Sequence, residues 1–292
     1  INSPENDPEE KKYQPMHLRI SAMFALAVSL ALLVLSGVGA RNVPPPTFPS
    51  SYYEANPQME VLSADARIYL FRNFLSEAEC DYIKNKATPR LARSGVVDAK
   101  TGKSKIDDIR TSSGMFFNRG EDPVIQTIER RIANLSMTPV YHGEGLQVLR
   151  YEAGQKYEAH WDYFFDEKNA ARGANRYATM LTFLETVEEG GETVFTKMPT
   201  PDGRDNEGFS ECAKHHLAVK PHKGDAVLFH SMKFNGEFEP RSLHGACPVI
   251  KGTKWSMPKW IHAKQYKMND LYDLEAEEAT KPKPTEPSAE EF

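Results

Sequence analysis

The stretch GQKYEAHWDYFFD, residues 154–166, holds His160 and Asp162 two positions apart inside a run of aromatic side chains. In a β-strand, side chains two apart share a face. A strand here puts an imidazole and a carboxylate on one side and turns Trp161 to the other, into packing. The pattern fits two metal ligands, and it fits equally a polar patch on an aromatic core. The surrounding sequence has to decide.

From Gly145 onward, short apolar runs alternate with turn signals. The runs are LQVLRY (146–151), YATMLTFL (177–184), ETVF (192–195), LAVKP (217–221), DAVLF (225–229), CPVI (247–250) and KWSMPKWIH (254–262). EEGG (188–191), HKGD (222–225) and IKGT (250–253) supply turns. Many short strands at this spacing predict a β-sandwich or barrel. Two helices precede them. Ser76–Glu79 reads as a capping box opening a helix over Ala78–Ala87. Asp122 and Pro123 read as N-cap and first-turn proline of a helix whose apolar face is Val124, Ile128, Ile132 and Leu135. The fold class is therefore α+β. Helices do not alternate with strands, which argues against a doubly wound parallel sheet.

A metal site needs a third ligand. His17 lies in a targeting-like segment, His142 in a loop, His222 and His230 by strand ends, and His215 and His216 would face opposite ways. His262 ends the last strand. His244, in SLHGACPV, leads into an apolar strand, and Gly245 and Ala246 leave room beside it. Two His and one carboxylate make the facial triad of non-haem Fe(II) oxygenases, with open positions for a bidentate 2-oxo acid and O2. Lys254 follows ten residues after His244, an even offset that aims its ammonium at the same cavity. There it would pair with the distal carboxylate of 2-oxoglutarate.

The chain has 292 residues, 40% hydrophobic and 26% charged, with a net charge of −5. That is ordinary globular composition, without the basic field that nucleic acid requires. Residues 1–15 are a polar lead. Residues 20–40 contain no charge and are long enough to span a bilayer. Within 16–40 they read either as a signal peptide ending at Ala40 or as a membrane anchor of a type II protein. Either reading sends the rest to the secretory pathway, in the endoplasmic reticulum or Golgi. Residues 41–57 hold five prolines and read as a linker. The catalytic domain is expected over 58–262, followed by an acidic, disordered tail over 263–292. Asn134 heads an N-glycosylation sequon. Of the three cysteines, Cys80, Cys212 and Cys247, the candidate pair is Cys212 with Cys247, both in strand-rich blocks of the same half.

Five blocks together resemble the prolyl 4-hydroxylases of plant and algal type. They are RTSSGMF (110–116), EGLQVLRYEAGQKYEAHWDYFFD (144–166), EEGGETVF (188–195), ECAK with LAVKPHKGDAVLF (211–229) and RSLHGACPVIKGTKWSMPKWIH (241–262). The resemblance spans about residues 60–262. It implies a double-stranded β-helix, or jelly roll, with flanking helices, and an Fe(II)/2-oxoglutarate dioxygenase acting on proline in polypeptides. By motif it implies His160, Asp162 and His244 as iron ligands and Lys254 as the 2-oxoglutarate lysine, with Tyr151 and Thr193 helping to bind that end. It implies Arg110, Ser112, Glu144, Tyr157, Arg176, Trp260 and His262 as the peptide groove. It also implies ascorbate as the reductant that rescues oxidised iron. A polyproline II chain, with free carbonyls and rigid rings, suits Arg donors and aromatic plates.

Departures from the family pattern are a shorter 166–176 segment, His215–His216 in place of a basic–Gly pair, and Pro258, which hints at an edge strand or bulge. Residues 94–109 read as a lid that orders on peptide binding. The alternatives are a 2-oxoglutarate oxygenase acting on lysine or a small molecule, and a non-catalytic jelly-roll binding protein.

Overall fold

The computed structural model describes residues 55–97, 104–105, 108–171, 174–201 and 206–266. The expected leader or anchor and the C-terminal tail beyond 266 lie outside the described residues, as does most of the linker. Among the described residues, no helix is long and apolar enough to cross a membrane.

The chain opens with β1 (Gln58–Ser63) and β2 (Ile68–Arg72), then a helix, Glu77–Ala87. That helix starts on the expected capping box: Ser76 and Glu79 each accept from the other's backbone N–H. Short strands β3 (Ala92–Arg93), β4 (Val96–Val97), β5 (Ser104–Lys105) and β6 (Ser113–Phe116) follow. The second helix, Pro123–Ser136, has Asp122 as N-cap, its carboxylate accepting from Ile125 N. Asn134 of the sequon is exposed in its last turn.

The strand-rich half then runs β7 (Gln147–Tyr151), β8 (Tyr157–His160), β9 (Arg176–Phe183), β10 (Glu189–Gly190), β11 (Thr193–Pro199), β12 (His216–Val219) and β13 (Ala226–His230). It ends with β14 (His244–Ala246), β15 (Val249–Lys251) and β16 (Lys254–His262).

Two antiparallel sheets dominate. The larger has the order β1-β2-β13-β9-β16-β7-β6-β3, and the smaller β12-β11-β14-β8. Strand alternation explains how the larger sheet is buried on both faces. In β13, Ala226 and Leu228 pack with the two helices, while Val227 and Phe229 face the smaller sheet. In β9, Ala178 and Met180 face the helices, and Phe183 meets Phe195 and Leu217 of the smaller sheet. This is the α+β jelly roll with helices on one outer face.

Two local expectations are corrected. Pro258 is neither on an edge strand nor at a bulge: β16 is central, and Pro258 sits opposite Leu181 of β9 in unbroken register. Pairing of β16 with β7 runs only over Lys254–Ser256. The ring thus lies past the end of that ladder, where a missing N–H removes no bond of the β16–β7 pairing. EEGG is not simply a turn, because Glu189 and Gly190 pair with β15. Within the expected lid, β4 pairs with β5 as a small hairpin, Ser94 is buried, and residues 98–103 and 106–107 lie outside the described residues.

Candidate active site

Register carries the first part of the site. In the pairing of β14 with β8, His244 stands directly opposite His160, and their ring centroids are 4.4 Å apart. The register slips between His244 and Ala246. Gly245 occupies that slip, where an added Cβ would lie 3.0 Å from the carbonyl oxygen of Tyr157. Glycine therefore allows the close approach of the two ligand-bearing strands.

Strand β8 ends at His160, so Asp162 reaches the site from the following bend rather than by strand parity. Its two oxygens lie 3.8 Å from His160 Nε2 and 3.8 Å from His244 Nε2. The three donor groups lie within 4.8 Å of one another, a spacing that one metal ion can bridge. Both imidazoles are fixed in orientation. His160 Nδ1 is 2.8 Å from the carbonyl of Glu158, and His244 Nδ1 is 2.9 Å from that of Ser242. A carbonyl only accepts, so each Nδ1 carries the proton and each Nε2 lone pair is left for a metal.

Thr179 of β9 donates to Asp162 Oδ2 at 2.7 Å. Burial pushes the His160 pKa down, and His244 pushes it further. For Asp162, burial acts upward, but His244, His160 and Arg176 outweigh it and hold the carboxyl below its usual range. Neutral imidazole and ionised carboxylate are the ligating forms, so the donor set fits an Fe(II) facial triad.

Lys254 opens β16 directly opposite Tyr151 of β7. Its side chain is among the most buried in the molecule. Its Nζ has a long contact, 3.4 Å, to Thr193 Oγ1, and among the described residues it forms no ion pair. Burial lowers its pKa to about 7, and the charge of Glu192 offsets this in part. Glu192 is itself held by the backbone N–H and the hydroxyl of Ser210, each at 2.8 Å. Lys254, Tyr151 and Thr193 line one pocket together with the triad. A buried lysine that forms no ion pair among the described residues, beside a metal triad, fits the far carboxylate of 2-oxoglutarate.

A wider cleft of about 600 Å³ opens over the triad. Arg110, Glu144, Tyr157, Arg176, Trp260 and His262 all line it. Arg176 Nε donates to Glu144 Oε1 at 2.7 Å, and His262 Nε2 is 2.9 Å from the same oxygen. Burial opposes ionisation of Glu144, but Arg176 and His262 lower its pKa to about 2. The Arg176 guanidinium lies 3.8 Å from the Trp260 ring centroid and 4.6 Å from that of Phe164. Asn175, at φ 73°, bonds both backbone groups of Phe164 at 2.9 and 2.8 Å. It thereby joins the loop after the triad to the start of β9.

Tyr157 is placed more intimately than a groove-wall residue. Its ring stacks on His160 at 3.7 Å, with the Arg110 guanidinium 4.9 Å over it. Burial raises its phenol to about 12 despite Arg110.

Two expected positions are corrected. Ser112 is fully buried, bonded to the hydroxyl of Ser94 at 3.0 Å. It does not line the cleft, whereas Ser94 does. Trp161 is half-buried on the cleft wall rather than in the core, because the strand that would have turned it inward has already ended. Thr179, Asn175, Gln147 and Glu192 were not anticipated. Gln147 accepts from Arg110 at 3.0 Å. Their signal lies in contacts between segments far apart in the chain, which local spacing does not contain.

Residues 146–262 match the family model of the 2OG-Fe(II) oxygenase superfamily. The chain is 54% identical over 211 residues to a protein named probable prolyl 4-hydroxylase 3 of Arabidopsis thaliana, covering 72% of this chain and 74% of that one. It is 46% identical to prolyl 4-hydroxylase 5 of the same plant, covering 72% and 73%. Among solved structures, a viral collagen prolyl hydroxylase from Paramecium bursaria Chlorella virus-1, in complex with 2OG, is similar with a TM-score of 0.50. The identity is 26%, over 70% of this chain and 99% of the viral one. The chain belongs to the prolyl 4-hydroxylases, Fe(II)- and 2-oxoglutarate-dependent dioxygenases of the 2OG-Fe(II) oxygenase superfamily.

Proposed function

We propose that this protein hydroxylates C4 of proline in proline-rich secretory polypeptides, the precursors of hydroxyproline-rich glycoproteins. The observation that carries the reading is the juxtaposition of the His160–Asp162–His244 triad with the buried Lys254, which has no ion-pair partner among the described residues, beneath a cleft walled by arginine and aromatic rings. A small-molecule oxygenase needs the first two features but not the third.

When bound, Fe(II) with 2-oxoglutarate and O2 supplies the oxidation, releasing succinate and CO2 and placing one oxygen atom on the proline. His160, Asp162 and His244 hold the metal, with Thr179 orienting the carboxylate. Lys254 receives the far carboxylate of 2-oxoglutarate, with Tyr151 and Thr193 beside it. Arg110, Tyr157, Arg176 and Trp260 bind the extended peptide. Glu144 and His262 act by holding Arg176, and Ser112 acts by supporting Ser94. Proline in polyproline II has free carbonyls and no N–H, which suits guanidinium donors set against aromatic faces. Ascorbate serves as the reductant. The uncharged run at 20–40 supports delivery to the endoplasmic reticulum or Golgi, by signal peptide or membrane anchor.

Succinate release from 2-oxoglutarate, measured with and without a proline-rich peptide, tests the reading. Turnover should require Fe(II) and peptide together, and His160→Ala should abolish it. Full turnover of a free small molecule without any peptide would overturn the prolyl assignment.

A further inference from the structure

One wall of the cleft carries an aromatic cluster that neither the metal triad nor Lys254 uses. Trp161, Tyr163 and Phe165 come from the segment after His160, and Phe238 comes from the loop between β13 and β14. Phe238 is the hub, its ring centroid 5.5, 5.1 and 4.9 Å from those of Trp161, Tyr163 and Phe165. Phe165 also meets Trp161 at 5.7 Å and Tyr163 at 5.2 Å, both edge to face. The Trp161 indole N–H donates to the carbonyl of Pro240 at 3.1 Å, fixing the first ring to the second segment.

Four rings locked in this way would ordinarily be a small core. Here Phe165 is 64% exposed, and the other three are only half-buried. Trp161, Tyr163 and Phe165 line the same cleft as Arg110 and Trp260. The set is preorganised by ring–ring contacts; Lys197 Nζ lies 5.2 Å from the Trp161 ring centroid, and Phe165 presents the most exposed ring.

We propose that this cluster is a second proline subsite, which holds a proline ring of the same polypeptide a few residues away from the one offered to the metal. The proposal rests on the prolyl hydroxylase reading and adds to it a requirement for substrate length. Continuity of the cleft names the occupant. His160 and Asp162 line the same cleft as Trp161, Tyr163 and Phe165, so a chain lying over the triad runs onto the cluster. Polyproline II rises about 9 Å per three-residue turn, so one rigid strand can reach both places. The recognition elements also agree. Proline offers an apolar ring and no N–H, and the cluster offers ring faces, with its indole N–H already committed to Pro240. Aromatic-lined grooves are a general way of reading proline-rich strands.

The test compares kcat/KM on a short peptide with a single target proline and on polyproline several turns long. The unsubstituted protein should prefer the long chain. Phe165→Ala should cut that long-to-short preference about five- to tenfold through KM for the long chain, and Phe165→Tyr should keep it. An unaltered preference in Phe165→Ala overturns the subsite. So does a fall in the sedimentation mass of the free protein on the same substitution, which would mark the cluster as a contact between copies. Absence of turnover on both peptides by the unsubstituted protein overturns the prolyl reading, and the subsite with it.

Discussion

Lys254 shows how one side chain couples binding to pH. Burial lowers its pKa from 10.5 to about 7, with Glu192 acting the other way. The unfolded chain therefore holds a proton between about pH 7 and 10.5 that the folded protein has released. Stability rises with pH across that window, and the full cost of the buried ammonium is felt below it. A dicarboxylate bound at Nζ reverses the balance by favouring the charged form. Binding of 2-oxoglutarate to the metal-loaded protein at a pH above 7 should thus take up a proton, and its apparent affinity should fall as pH rises. Calorimetry in buffers of different ionisation enthalpy measures the uptake, and Lys254→Met should remove it. Zero uptake in the unsubstituted protein would separate Lys254 from the 2-oxoglutarate carboxylate. Lys254 was legible in the sequence only through its block, RSLHGACPVIKGTKW, because its even offset from His244 crosses β15 and a change of sheet, where strand parity carries no information. Thr179 was not, since its bond to Asp162 depends on how β9 passes the end of β8.

At the scale of elements, the disulfide between Cys212 and Cys247 ties the turn that carries Ser210 to the end of β14. Ser210 in turn holds Glu192, which neighbours Thr193. Cross-linking positions 35 residues apart removes roughly 4 kcal/mol of unfolded-state chain entropy on the loop-closure model. Reduction should then lower the melting temperature by roughly 8–16 °C for a domain of this size. Thermal unfolding with and without reductant checks it, and coincident curves would show that the bond contributes little. Cys80 is buried, and burial raises its thiol to about 12, so it should label only on unfolding.

The elements themselves were largely readable in advance, because a capping box, an N-cap proline and period-2 apolar runs are all local signals. Strand parity does not govern Trp161, because β8 stops one residue earlier, at His160. Pro258 misled because a proline can sit in a central strand once one neighbouring ladder has ended, and where that ladder ends is a property of the sheet.

For the molecule as a whole, the site lies along the seam between the two sheets. His160, His244 and Thr193 come from the smaller sheet, and Tyr151, Thr179, Arg176, Lys254 and Trp260 from the larger. The apolar contact between the sheets is made by Phe183, Phe195, Leu217, Val227 and Phe229. The polar edge of that seam has a buried cation and a triad whose natural partners are a dianion and a dication. Metal and 2-oxoglutarate bind only the folded arrangement, so saturation should raise the stability of the whole domain rather than of one loop. At one hundred times the dissociation constant the gain is about 2.7 kcal/mol, or roughly 5–10 °C in melting temperature.

The shift should also be cooperative between the two ligands. 2-Oxoglutarate should add most of its increment only with a divalent metal present, because in the proposed arrangement its 2-oxo end takes the metal held by the triad and its far end takes Lys254. Thermal shift assays with metal alone, 2-oxoglutarate alone and both together measure this without any turnover. In His244→Ala the joint increment should collapse, while in Lys254→Met the metal increment should survive and the 2-oxoglutarate increment should vanish. A 2-oxoglutarate shift of equal size with and without metal would mean that the co-substrate does not bridge the sheets at this seam.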